Sequence, residues 1–200
     1  MGLAQLISES EPSASVELIG LLKPCAAQLM DEIVAQRDLA AVESGEYYPG
    51  PVSCPLKALL ETTAGLCAAH EVGRGRTVVV EPGVPTDSIV TERSLLTRVI
   101  GNMIKNALEA EPVGAVVKVG AERLEGGLYT LWVRNPTVMP RHVQLQIFQR
   151  SFTTKGSGRG LGTYSMKLLA ERFLNGKVSF TSVAGTGTEF RITIPASTDV

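Results

Sequence analysis

Two hundred residues suffice for one well-packed domain with an appendage, and 44% hydrophobic against 20% charged residues is the make-up of a globular chain. A net charge of −1 gives no electrostatic case for nucleic acid or for an anionic membrane surface. No apolar run approaches a membrane span, no signal sequence opens the chain, and Cys25, Cys54 and Cys67 lack metal-ligand spacing and read as reduced thiols. A cytoplasmic location is therefore expected, with room for membrane segments upstream in a longer parent.

Residues 3 to 8 look like the last turns of a helix, followed by a Ser-rich turn around Pro12. From Val16 to about Ser44 the apolar positions fall at Ile19, Leu22, Ala26, Leu29, Ile33 and Ala40, with Pro24 as a kink and Gln36 as an interruption. This three-four alternation is the seam of a helical hairpin or coiled coil. The bland alternative is a helix packed on its own domain. An intermolecular seam is preferred, because a stub and one helix cannot bury an apolar stripe alone. Residues 45 to 55 hold three prolines and two glycines and read as a linker between a helical part, 1–44, and a domain, 56–200.

In that domain the pattern predicts a helix from Leu56 to Val72 and a strand from Arg76 to Glu81. A strongly amphipathic helix follows from Thr91, its expected cap, to Ala110. Strands are expected at 115–121 and 128–134 around Gly126-Gly127, then a helix at 141–149 and another at 161–173. Strands at 177–182 and 188–194 complete the chain. The order gives an α+β class, a mixed sheet with helices on one face.

Residues 151 to 164, SFTTKGSGRGLGTY, place Gly156, Gly158, Gly160 and Gly162 at alternate positions beside Lys155 and Arg159. So many residues without Cβ let the backbone N–H groups approach a ligand, and inward-pointing amides beside two cations favour phosphate. The loop runs into a helix N-terminus, which favours an anion again; the bland reading is a surface loop. Gly162 is followed by Thr163 and Tyr164, not the Lys-Ser/Thr pair of a P-loop, and Leu161 and Thr163 exclude the third glycine of a dinucleotide fingerprint. In the helix before, Asn102 and Asn106 are four apart and leave the same face. Two carboxamides in a phosphate pocket can serve Mg²⁺ and phosphate oxygens, and alternatively they cap buried backbone groups.

Phe148, then Phe152-Thr153-Thr154-Lys155, then Gly158-Arg159-Gly160-Leu161-Gly162 resembles the second glycine box of the sensor histidine kinases, members of the Bergerat-fold ATPases. Asn102 to Ala110 resembles their N box, and Gly185-Thr186-Gly187-Thr188 their third glycine box. The adenine box departs from the family pattern. Asn135 stands where the family has Asp, both glycines are missing, and Asn135-Pro136-Thr137 is one residue short. The helix at 16–44, with Gln36-Arg37 and Leu39, resembles the second helix of the dimerisation hairpin.

The resemblance implies a two-layer Bergerat domain that binds ATP and Mg²⁺. Its site would use Asn102, Lys105, Asn106, Asn135, Thr153, Thr154, Lys155, Gly158, Arg159, Gly160, Leu161, Gly162 and Thr188, with Asn106 as the metal ligand. It also implies a homodimer through the N-terminal helix and a response regulator as partner of the full-length kinase. Hydrolysing relatives carry a Glu at the position of Asn102; Asn is no base, which suits phosphoryl transfer to a protein. No histidine lies in residues 1 to 44, and His70 and His142 are off the hairpin. The acceptor is therefore expected upstream of residue 1, and this chain is not expected to phosphorylate itself. A dimerising pseudo-kinase with a degenerate adenine box is the alternative. The loop at 153–160 has no large apolar anchor after Phe152, so Mg·ADP, and still more Mg·ATP, is expected to order it, with Phe148 and Phe152 at its base. Hydrogen exchange across 153–162 with and without nucleotide checks this, and equal protection in both states would remove the phosphate clamp.

Overall fold

The apolar repeat that begins at Leu95 forms the central helix of the computed structural model, which describes residues 50–149 and 162–197 together with Leu22, Ala26, Ile33 and Ala40. The chain divides into two compact units, residues 1–46 and 47–200. In the first, the four described residues are helical, and Ala26, Ile33 and Ala40 of the expected seam are exposed. The other seam positions lie outside the described residues.

The second unit runs β1 (Val52–Pro55), α1 (Leu56–Ala69), β2 (Thr77–Val80), β3 (Ser88–Thr91), α2 (Arg93–Ala110), β4 (Val116–Arg123) and β5 (Leu128–Asn135). It continues through the single turn α3 (Arg141–Gln144), then α4 (Gly162–Phe173), β6 (Lys177–Val183) and β7 (Gly187–Pro195). The main sheet has the order β2-β4-β5-β7-β6, with β2 parallel to β4 and the other pairs antiparallel. This is the expected mixed sheet.

Side chains alternate across a strand, so register decides which residues face the helices. Val119 pairs with Val133, Leu131 with Ile192 and Val133 with Phe190, and all of these are buried. Helices α1, α2 and α4 cover that face. Leu96, Ile100, Met103, Ile104 and Leu108 of α2 are completely buried. The opposite face carries the polar rows. Trp132 lies flat over Gly120, where a Cβ would stand 2.3 Å from Cζ2 of the indole. The Arg134 guanidinium sits 5.1 Å from the centre of that ring. Glu189 is buried between ion pairs to Arg134 and Arg191.

Three expectations need correction. Thr91 does not cap α2: it ends β3, paired with Val52, and its buried hydroxyl has no hydrogen-bond partner among the described residues. Glu92 is the cap, and its carboxylate accepts from the Ser94 amide at 3.1 Å, the Ser94 hydroxyl at 2.7 Å and the Gly50 amide at 2.8 Å. An extended chain through residue 91 delivers the next oxygen-bearing side chain to the helix N-terminus. Secondly, the far end of the expected linker, Val52–Pro55, is a strand, because β3 supplies an edge for it. Thirdly, the helix expected at 141–149 is helical only to Gln144 and continues in turns. Cys54 and Cys67 are buried thiols, as expected. Burial pushes the Cys54 thiol up, against the lowering effect of Arg93 and with a small raising effect of Glu92.

Met103 is wholly enclosed between α2 and its neighbours, so Met103→Ala should leave a cavity and destabilise the domain by about 2–5 kcal/mol. Urea melts should show a lower midpoint at unchanged slope; a midpoint within error of wild type would mean the helix is not the core of the fold.

Candidate functional site

The rotation of α2 is fixed by its apolar stripe, and Asn102, Lys105 and Asn106 consequently sit at its half-buried edge. Asn102 faces α4: its Nδ2 lies 3.5 Å from the Ser165 hydroxyl, which itself donates to the carbonyl of Gly162 at 3.0 Å. Asn102 is thus brought to the first turn of the helix that the glycine loop precedes. Gly162 opens that helix, and a Cβ there would meet nothing within 4 Å. Asn106 is half-buried with its Nδ2 inside. Thr153, Thr154, Lys155, Gly158, Arg159, Gly160 and Leu161, and Phe152 beside them, lie outside the described residues. Phe148 packs edge-on to Phe180 and Phe190, with ring centres 5.7 and 6.4 Å apart.

The second half of the site is built where β5 ends and β7 begins. Asn135 and Thr188 are register partners, and both are buried. The Thr188 hydroxyl donates to the carbonyl of Thr137 at 2.7 Å and shares a 2.7 Å hydrogen bond with Ser182. Ser182 accepts in turn from the Met139 amide at 2.7 Å. Gly187, at φ +83°, permits this closeness, since a Cβ there would fall 2.1 Å from the carbonyl oxygen of Asn135. The segment 135–139 is therefore pinned to β6 and β7 although both family glycines are gone.

Glu111, the residue that caps the C-terminus of α2, holds the other side. Its Oε1 accepts from Asn135 Nδ2 and from the Thr137 amide, each at 2.7 Å, and the residue is only 5% exposed. Arg76 anchors the same turn through a 2.8 Å bond to the Glu111 carbonyl. Burial pushes the Glu111 carboxyl up, but the bonds from Asn135 and Thr137, with the nearby Arg76 charge, outweigh it and hold the carboxyl below its ordinary value. Sequence reasoning missed this residue. Its only signal was an acid directly after an apolar helix, before Pro112, and solvated acids end helices as a matter of course.

Of the two histidines, His70 accepts the Val72 amide through Nδ1 at 3.4 Å, and His142 is exposed on α3.

A mixed five-stranded sheet with helices on one face, and an asparagine-bearing helix meeting the first turn after a glycine loop, defines a Bergerat-type ATPase domain. The chain belongs to the family of histidine kinase-, DNA gyrase B- and HSP90-like ATPases, whose model matches residues 91–198. It is similar to the sensor protein DegM of Bacillus sp. (strain B21-2), 34% identical over 94 residues, 47% of this chain and 25% of that protein. In fold it is similar to the histidine kinase AdeS of Acinetobacter baumannii, with a TM-score of 0.68 and 15% identity over 94% of this chain and 86% of the other. The structure of full-length ShkA gives a TM-score of 0.72 at 22% identity, covering 96% of this chain and 41% of the other. The chain spans about a quarter of the length of the curated relatives it matches.

An ionised Glu111 contributes stability that is full above the ordinary glutamate pKa and is lost as pH falls through its lowered native value. Glu111→Gln cannot titrate. The stability of wild type minus that of Glu111→Gln should therefore rise with pH across that acid window and level off above it. Urea melts at stepped pH measure the difference; a flat difference from strong acid to neutrality would show that the network holds no carboxylate.

Proposed function

We propose that this chain carries the ATP-binding catalytic domain of a two-component sensor histidine kinase, which passes the γ-phosphoryl group of Mg·ATP to a histidine outside the chain. The observation that carries the reading is the tethering of residues 135–137 by Glu111, Gly187 and Thr188. A site held in one geometry is what nucleotide recognition requires, and a decayed box has no need of a buried carboxylate behind it. ShkA, similar in fold, was solved in complex with AMPPNP, which supports the same ligand class here.

The residues fit a magnesium ion that arrives with the nucleotide. Among the described residues no group of His, Cys, Asp and Glu could hold a metal alone. Mg²⁺ prefers hard oxygens, keeps several waters and takes phosphate oxygens, so a single amide oxygen, that of Asn106, is an adequate protein ligand. The bound ion supplies charge neutralisation on the phosphates. Asn102, tied to Ser165, orients groups at the start of α4 and cannot abstract a proton from water, which favours transfer over hydrolysis. Lys105, Lys155, Arg159 and the amides of Gly158 to Gly162 are assigned to the phosphates, with Thr153, Thr154 and Leu161 shaping that loop. Asn135 and Thr188 are assigned to adenine. Catalysis in such a site is positioning and charge stabilisation.

The exposure of Ile33, 59% in the single chain, fits the proposal that the N-terminal helix pairs with a second copy. A cytoplasmic kinase that delivers the phosphoryl group to a response regulator completes the reading.

Calorimetric titration with Mg·ATP tests it. Wild type should bind saturably, and Asn106→Ala should lose roughly tenfold or more of that affinity, the worth of one charge-assisted contact. A wild type with no detectable binding would leave the pseudo-kinase as the better reading.

A further inference from the structure

We propose that Glu111 is a positioning residue for purine selection: it locks the Asn135 carboxamide so that Oδ1 alone is offered to a base, which admits a 6-amino purine and rejects a 6-oxo purine. The inference rests on the nucleotide-binding reading above and names what decides its specificity.

The geometry of the amide is determined by its neighbours. Asn135 Nδ2 lies 2.7 Å from Glu111 Oε1 and 3.4 Å from the Thr137 carbonyl oxygen. Both partners are acceptors only, so the NH₂ end must face them and the carbonyl end must face away. Oδ1 accepts no hydrogen bond among the described residues, and it is the side-chain atom that remains for a ligand. An unrestrained asparagine would have no such preference. Rotation by half a turn exchanges donor for acceptor, and the same pocket would then take the O6 of a 6-oxo purine as readily as the amino group of adenine.

The restraint comes from outside the strand that carries Asn135. Glu111 sits at the end of α2, its Oε1 is shared with the Thr137 amide, and Thr188 fixes the Thr137 carbonyl from β7. Flipping the amide would set a carbonyl against a buried carboxylate and against a second carbonyl, with two donors left over. The substitution of the family aspartate by Asn135 is thereby offset. The aspartate can only accept, an asparagine can do either, and Glu111 removes the choice.

The test compares Mg·ATP with Mg·ITP, in which oxo replaces amino at position 6 and N1 becomes an N–H donor, on wild type, Glu111→Ala and Glu111→Gln, each checked for folding by thermal melting. Wild type should favour ATP by roughly ten- to a hundredfold, the range for leaving one buried polar group unsatisfied. Glu111→Ala should bring the two nucleotides to within about threefold of each other, with ITP gaining as ATP loses. Glu111→Gln keeps an oxygen acceptor in place and should retain most of the preference. A merely structural role would weaken both nucleotides together and leave their ratio alone. A folded Glu111→Ala that selects as strongly as wild type overturns the lock while the kinase reading stands. A wild type that binds neither nucleotide overturns both.

A nucleotide-free measurement covers the case in which Glu111→Ala does not fold. In ¹⁵N-labelled wild type and Glu111→Gln, the Hδ2 pair of Asn135 should exchange at least about tenfold more slowly than those of exposed asparagines, since buried hydrogen-bonded groups must open before they exchange. An unprotected Asn135 pair in wild type overturns the lock regardless of what nucleotide does.

Discussion

The burial of one stripe of α2 is the constraint on which the rest depends. Leu96, Ile100, Met103, Ile104 and Leu108 are removed entirely from water, and apolar burial is the largest favourable term in folding. Because residues four apart share a face, seating that stripe leaves no freedom in where Asn102 and Asn106 emerge. It also sets where the helix ends, and Glu111 is delivered beside the last residue of β5. Packing and site are thus one decision. A rotation of the helix by one residue would expose core leucines and displace both amides at once.

The carboxylate of Glu111 is the most consequential polar group in the domain. A buried charge is tolerated only when hydrogen-bonded, and an unsatisfied buried partner costs about 1–3 kcal/mol. Here one oxygen receives two donors from the segment it organises, and Arg76 stands near. The helix macrodipole opposes an acid at a C-terminus by typically 0.3–1 kcal/mol. That penalty makes a solvated, idle Glu111 the simpler reading of the sequence, and the bonds to Asn135 and Thr137 are what offset it.

What the sequence made legible follows from the range of the interactions. The apolar period of α2, the glycine spacing and the turn at Gly126-Gly127 are local patterns, and the mixed sheet and its helical layer were expected from them. The misread segments ahead of α2 fail for a non-local reason. Val52–Pro55 reads as a linker because its composition is that of one, and it is a strand only because Ser88–Thr91 pairs with it. Thr91 has the chemistry of a cap, but that same pairing holds it extended and hands the role to Glu92. In the site, Asn135 and Thr188 are nameable from the family resemblance, and their adjacency as register partners is visible only once β5 and β7 pair. Glu111 belongs to no motif. Its role exists because two distant segments end at the same corner.

In the proposed nucleotide site, the same corner offsets the loss of both charge and glycines from the adenine box. Glycine in such a segment serves close approach and backbone turns; here Gly187, across the sheet, supplies the close approach to Asn135, and Pro136 takes up the turn. The charge has moved one hydrogen bond back from position 135 into the protein. A carboxylate that bonded a base amine directly would give a charge-assisted contact, about twice as strong as a neutral one. The chain from Glu111 through the Asn135 amide toward a base recovers only part of this, since each bond in such a relay strengthens the next by about 10–30%. The arrangement therefore trades affinity for a neutral, directionally fixed acceptor. On the proposed kinase reading, that exchange suits release of the spent nucleotide, because the discrimination between bases rests on geometry and survives a weaker hold.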